Sequence, residues 1–133
     1  MRVMFDTNII ISAIFSTEGK PSLSIIKAEE SGFDICICRE IEQEVLRSFE
    51  KKWPELLRDV KRYLAESCLT VLPTPVSADN KELHLRDIKD RPIYRAAKNA
   101  NVDYFVTGDK DFLEFSQTDI TIITVSEFLL IDI

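Results

Sequence analysis

The chain carries one short pattern twice: an apolar run that stops on a carboxylate. Arg2-Val3-Met4-Phe5 ends at Asp6. Tyr104-Phe105-Val106 passes through Thr107 and Gly108 to Asp109 and Asp111. Short runs of β-branched and aromatic residues suit strands buried on both faces, and such strands belong to parallel sheets covered by helices. In an open parallel sheet, ligands lie outside the carboxyl ends of the strands. Gly and Asp are also ordinary turn residues, so either copy alone reads as a polar strand-to-helix turn. Two copies place carboxylates at one rim from both ends of the sequence.

The segments between them alternate in period. Ile9 to Phe15 reads as a short buried helix after the Asp6-Thr7-Asn8 turn. Pro21-Ser22 opens a helix over about 22–31, with Leu23, Ile25 and Ile26 expected inward and Gly32 as its stop. Phe33 to Cys38 is a second strand. Ile41, Val45 and Phe49 mark the face of a helix over 39–51. Trp53, Leu56, Leu57, Val60, Tyr63 and Leu64 form the stripe of the next, which is core or a dimer surface. Leu69 to Leu72 is a third strand, ended by Pro73-Thr74-Pro75. A loop with the single histidine, His84, leads to a helix over 90–100 with Pro92 in its first turn. After the Tyr104–Val106 strand, Ile120 to Thr124 is a fifth strand, and Ser126 is expected to cap a terminal helix over 127–130. Strands alternating with helices predict a three-layer α/β/α sandwich around a mainly parallel sheet, in one domain spanning 1–133.

Charge matters because of what it argues against. The net balance is −6, which gives no general attraction to nucleic acid or anionic membrane. It leaves room for a nucleic-acid enzyme, since carboxylates gathered around a metal count against net charge without repelling a metal-bridged phosphate. Three cysteines, two of them as Cys36-Ile37-Cys38, have no zinc spacing and read as buried thiols of a reducing compartment. The longest early apolar stretch is too short to span a bilayer. A cytoplasmic protein without a membrane segment is the expectation.

The acids converge on one rim. Asp6 ends the first strand, Asp109 and Asp111 follow the fourth, and Asp90 opens the helix before it. Glu44 lies one turn into the helix after strand two, although helix geometry alone leaves Glu40 and Glu42 open. Asp90 has a plain alternative as an N-cap, and Asp87 stands close by as a loop acid. Packed carboxylates stay ionised only with compensation. Hard oxygen donors without His or Cys suit Mg²⁺ or Mn²⁺, which can activate a water for in-line attack on a phosphodiester. With three glycines there is no phosphate-binding loop and no dinucleotide fingerprint.

Four motifs in order carry a family resemblance. Phe5-Asp6-Thr7-Asn8, Ile41-Glu42-Gln43-Glu44-Val45-Leu46, Asp90-Arg91-Pro92-Ile93 leading to Ala96-Ala97, and Val106-Thr107-Gly108-Asp109-Lys110-Asp111-Phe112 resemble those of PIN-domain nucleases. The resemblance covers nearly the whole chain. It implies Mg²⁺- or Mn²⁺-dependent cleavage of RNA, with Asp6, Glu44, Asp90 and Asp109 as the catalytic acids. Asp6, Asp90 and Asp109 would hold the metal, and Asn8, Thr107 and Asp111 would support them. A small stand-alone member is most similar to the VapC-like toxin half of a toxin–antitoxin pair, implying an antitoxin partner and a homodimer. Two departures stand out: Cys38 replaces the usual Ser or Thr before the glutamate-bearing helix, and Asp87 is an extra acid ahead of Asp90. The spacing to Ile93 and Ala97 favours Asp90 for the metal.

Other readings compete. A catalytically silent PIN-like binding module would normally lack one acid, and none is missing; an RNA-processing nuclease that is not a toxin remains open. A receiver domain would need an Asp where strand two ends at Cys38, and a phosphatase would need Asp where Asn8 stands.

Overall fold

A computed structural model describes all residues, 1–133. Five strands form one fully parallel sheet in the order β3-β2-β1-β4-β5. They are β1 (Arg2–Phe5), β2 (Asp34–Cys38), β3 (Thr70–Leu72), β4 (Tyr104–Val106) and β5 (Ile122–Ile123). Seven helices join and follow them: α1 (Thr7–Phe15), α2 (Lys20–Glu30), α3 (Arg39–Lys52), α4 (Leu57–Glu66), α5 (Asp90–Asn99), α6 (Lys110–Leu113) and α7 (Val125–Leu130). The expected α/β sandwich is therefore the observed fold.

Alternation along β1 and β4 divides the core. The register pairs Val3 with Tyr104, Met4 with Phe105 and Phe5 with Val106, so partners share a face. Phe5 and Tyr104 meet Phe128 of α7 edge-on at 6.0 and 5.9 Å. Phe105 meets Phe112 of α6 at 4.8 Å on the other side. Right-handed crossovers explain the layers. The chain runs from β1 outward through β2 to β3, then returns to lay β4 on the far side of β1. The strand order thus reverses between β1 and β4, which makes their carboxyl ends a topological switch point.

Several expectations need correction. Leu23 and Ile26 do not face inward; they are 45% and 42% exposed, and Ile25, Ser22 and Ala28 form the buried face of α2. The terminal helix is capped by Thr124, not Ser126. Thr124, two residues earlier, and Glu127 form a reciprocal capping box. The 73–89 loop contains a 3-10 turn over Asn80–His84, capped by Asp79. A 3-10 turn over Pro54–Leu56 also precedes α4. Cys38 holds the N-cap position of α3 without a side-chain capping bond, as its thiol leads one to expect.

Candidate active site

Asp6 is the first residue past β1, yet its N–H still donates to the carbonyl of Val106 at 2.9 Å. Its backbone is therefore anchored to the sheet. Its side chain is 8% exposed. Oδ1 accepts from the Thr7 N–H at 2.8 Å, capping α1, and Oδ2 accepts from the Thr107 hydroxyl at 2.6 Å. The same Thr107 oxygen accepts the N–H of Asp109 at 3.0 Å. One hydroxyl thus ties the ends of β1 and β4 together. Burial, and then the charges of Glu44 and Asp109, push the Asp6 carboxyl up to about 6 against the two hydrogen bonds that hold it down.

Glu44 comes from α3. The Thr7 hydroxyl donates to its Oε2. Of the candidates Glu40, Glu42 and Glu44, this contact brings Glu44 to Thr7 beside Asp6, whereas Glu40 accepts from the Thr74 hydroxyl. Asp109 caps α6 by accepting the Asp111 N–H at 2.9 Å.

Asp90 is different. It is the first residue of α5, where the N-cap is Lys89, and it makes no capping bond. The simple capping explanation for this aspartate fails. Asp90 is 7% exposed, and its Oδ2 is buried with no hydrogen-bond partner. Burial, followed by the charges of Asp109, Asp87 and Asp6, raises its carboxyl well above the ordinary range. Carboxylate oxygens of Asp87, Asp90 and Asp111 lie within 4.8 Å of one another, a grouping able to hold a metal ion.

The family model for the PIN domain matches residues 2–111. The chain belongs to the PIN-domain family. Among solved structures it is similar to VapBC2 from Rickettsia felis bound to a promoter DNA fragment, with a TM-score of 0.72 and 17% identity over 93% of this chain and 98% of that one. It is also similar to DNA-bound VapBC from Salmonella typhimurium, at 0.69 and 18% over 94% and 98%. FitAcB from Neisseria gonorrhoeae follows, at 0.65 and 16% over 93% and 98%. At these identities the likeness concerns the fold. No curated protein matches the sequence.

In this PIN domain, Asp6, Glu44, Asp90, Asp109 and Thr107 are neighbours at one rim. Asn8, in the first turn of α1 two residues after Asp6, is exposed, and its side chain makes no hydrogen bond. Asp111 lies beside Asp90, and the exposed Asp87 accompanies it. Asp90 is common to this trio and to the predicted set of Asp6, Asp90 and Asp109. The donors fit a hard divalent cation: all are oxygens, two of them, on Asp6 and Asp90, belong to carboxyls with raised pKa values, and one buried oxygen lacks any partner.

Sequence reasoning missed what holds this rim in place. Glu82, 1% exposed, accepts from Arg95 at 3.0 and 2.8 Å, and Arg95 also donates to the Pro75 carbonyl. Arg91 donates to the Leu85 carbonyl. These bonds bind the 73–89 loop to α5 and so fix the approach to Asp87 and Asp90. The spacing of Glu82 after Asp79, a capping-box signature, was the available sequence signal.

Proposed function

We propose that the chain is a divalent-metal-dependent endoribonuclease, the toxin of a toxin–antitoxin pair, using Mg²⁺ or Mn²⁺. The observation that carries this reading is Asp90: a buried carboxylate with an unpartnered oxygen, no capping role and like charges around it. An uncompensated buried charge of this kind is costly unless a cation or a proton satisfies it. Membership of the PIN-domain family supports nuclease chemistry.

Asp6, Asp90 and Asp109 would hold the cation, with Asp87 and Asp111 beside them. Once bound, it would polarise the phosphodiester and supply an activated water. Thr107 keeps Asp6 oriented through its hydroxyl. Thr7 holds one oxygen of Glu44, which leaves the other to accept the proton of the attacking water. The complete set of acids favours this reading over a silent module.

The fold likeness to VapBC assemblies supports the toxin half of such a pair, with a small antitoxin whose peptide lies over the acidic rim. We place the protein in the cytoplasm: its cysteines are unpaired, and no single helix is long and apolar enough to cross a membrane. Exposed Phe15 and Tyr63 beside an apolar cleft of about 430 Å³ support a homodimer through the α4 region. The test is an RNA panel incubated with purified protein in Mn²⁺ or in chelator. Cleavage is expected only with metal and not in Asp90→Asn; metal-independent cleavage, or full activity of the variant, would overturn the proposal.

A further inference from the structure

A groove of about 640 Å³ runs between α3 and the start of α5. Its charge is graded along α3. Glu44 stands at the end next to the carboxylate rim, and Arg47 and Lys51 follow at successive turns on the same flank. Lys89, on a different element, lines the opposite side. None of these three cations forms a salt bridge. Four cations, Arg47, Lys51, Lys52 and Lys89, line the groove against two carboxylates, Glu40 and Glu44, a local exception in a chain of net charge −6.

Lysines near a helix C-terminus offset its dipole, which accounts for Lys51 and for Lys52, whose ammonium sits over the Trp53 ring at 5.8 Å. That account does not reach Arg47 in mid-helix or Lys89 across the groove. We infer that the groove carries the phosphate backbone of a single-stranded RNA past the carboxylate rim, with Arg47, Lys51 and Lys89 contacting successive phosphates. The inference rests on the nuclease reading above. From Arg47 to Lys51 the helix rises about 6 Å, which puts the two cations one turn apart on one flank, within reach of neighbouring phosphates of one strand. A cavity of this size is in the range of small-ligand sites, so it admits a few nucleotides of single strand and not a duplex. No aromatic ring lines it, so bases find no stacking platform, and contact there is to the backbone and independent of sequence.

The test measures binding apart from cleavage. A labelled twelve-residue oligouridylate is titrated with the full chain in Ca²⁺, by fluorescence anisotropy, across a salt series. Arg47→Gln/Lys51→Gln is expected to weaken binding at least 10-fold at about 0.1 M salt. The salt slope should fall by about 1.4, or about 0.7 for each lost contact. Arg47→Lys/Lys51→Arg should retain binding, and Arg58→Gln/Arg62→Gln, exposed on α4 outside the groove, should change it less than about twofold. Equal losses in the groove and α4 pairs, no loss in the groove pair, or no RNA binding by the unaltered chain would overturn the inference. Hydrolysis of bis(p-nitrophenyl) phosphate in Mn²⁺ reports on the rim by itself. If it persists while groove variants bind RNA normally, the groove is wrong and the nuclease reading stands. If the unaltered chain cleaves neither that ester nor RNA, the nuclease reading falls, and the groove with it.

Discussion

Asp6 does two things at once, and its environment separates them. It caps α1, which an asparagine can also do, and it carries a charge that burial and its neighbours disfavour. Asp6→Asn should therefore leave the melting temperature in chelator level or raise it, abolish RNA cleavage and shrink the stabilisation by Mn²⁺. A lower melting temperature with the full metal shift retained would show a purely structural aspartate. The same charge predicts a pH dependence. A carboxyl raised from 3.8 to about 6 binds more protons folded than unfolded across that interval, so stability falls as pH rises through it. The loss is about 3 kcal/mol, and Asp90, raised from 3.8 to about 8, adds in the same direction across this interval and on to higher pH. Asp79, Glu82 and Asp119 are shifted downward, so their opposing contribution falls mostly below about pH 4. Urea unfolding in chelator at pH 4.5 and pH 7 should show greater stability at the lower pH, and Asp6→Asn should reduce the difference, leaving the part due to Asp90. At the neighbouring turn, Asp109→Asn is expected to lose more activity than Asp111→Asn, which should cost about 10-fold to 100-fold as an outer ligand. Equal and small losses would remove the turn from the mechanism.

At the scale of elements, the loop before α5 decides whether Asp90 is in place. The Glu82–Arg95 pair is buried, with side chains 2% and 18% exposed, so removing one partner strands the other charge. Arg95→Ala should cost about 3–5 kcal/mol of stability. Arg95→Met combined with Glu82→Leu should recover most of it, because two apolar side chains leave no unpaired charge in the interior. Denaturant midpoints for the single and double variants provide the check. The double variant should also regain metal-dependent cleavage if the pair serves only to hold the loop. Its recovery of stability without activity would mean that the ionic pair itself sets the geometry of Asp90.

For the whole molecule, metal and self-association are the levers. A cation that binds only the folded chain adds about 2.7 kcal/mol at 100 times its dissociation constant. Thermal melts in Mn²⁺ should thus exceed those in chelator, increasingly so above pH 6, where Asp6 must ionise. The apolar surface formed by Phe15, Tyr63, Leu23 and Ile26, each 41–49% exposed, is expected to be covered by association. Sedimentation at tens of micromolar should give a dimer that Tyr63→Glu dissociates. A monomer at high micromolar concentration would remove the dimer.

Local chemistry alone was enough to find the strands and the acids that end them. Val3 to Phe5 and Tyr104 to Val106 are too apolar to lie anywhere but inside, and Asp6 and Asp109 follow them in caps that their own side chains make. The faces of α3 and α5 were likewise written in their periods, in Ile41, Val45 and Phe49 and in Ile93, Ala96 and Ala97. Contacts between distant segments could not be read this way. Propensity and period act over a few residues, whereas the pairing of β1 with β4 is decided by which packing buries both runs. That pairing lets Thr107 reach Asp6 across 101 residues of sequence. The rotation of α3 in its packed setting gave Thr7 to Glu44 and Thr74 to Glu40. Leu23 and Ile26 looked like core because their spacing is helical, but α2 buries Ser22, Ile25 and Ala28 and leaves these two outside. The approach of Asp87 and Asp111 to Asp90 also needed the folded loop, since no local rule relates a residue before α5 to one after β4.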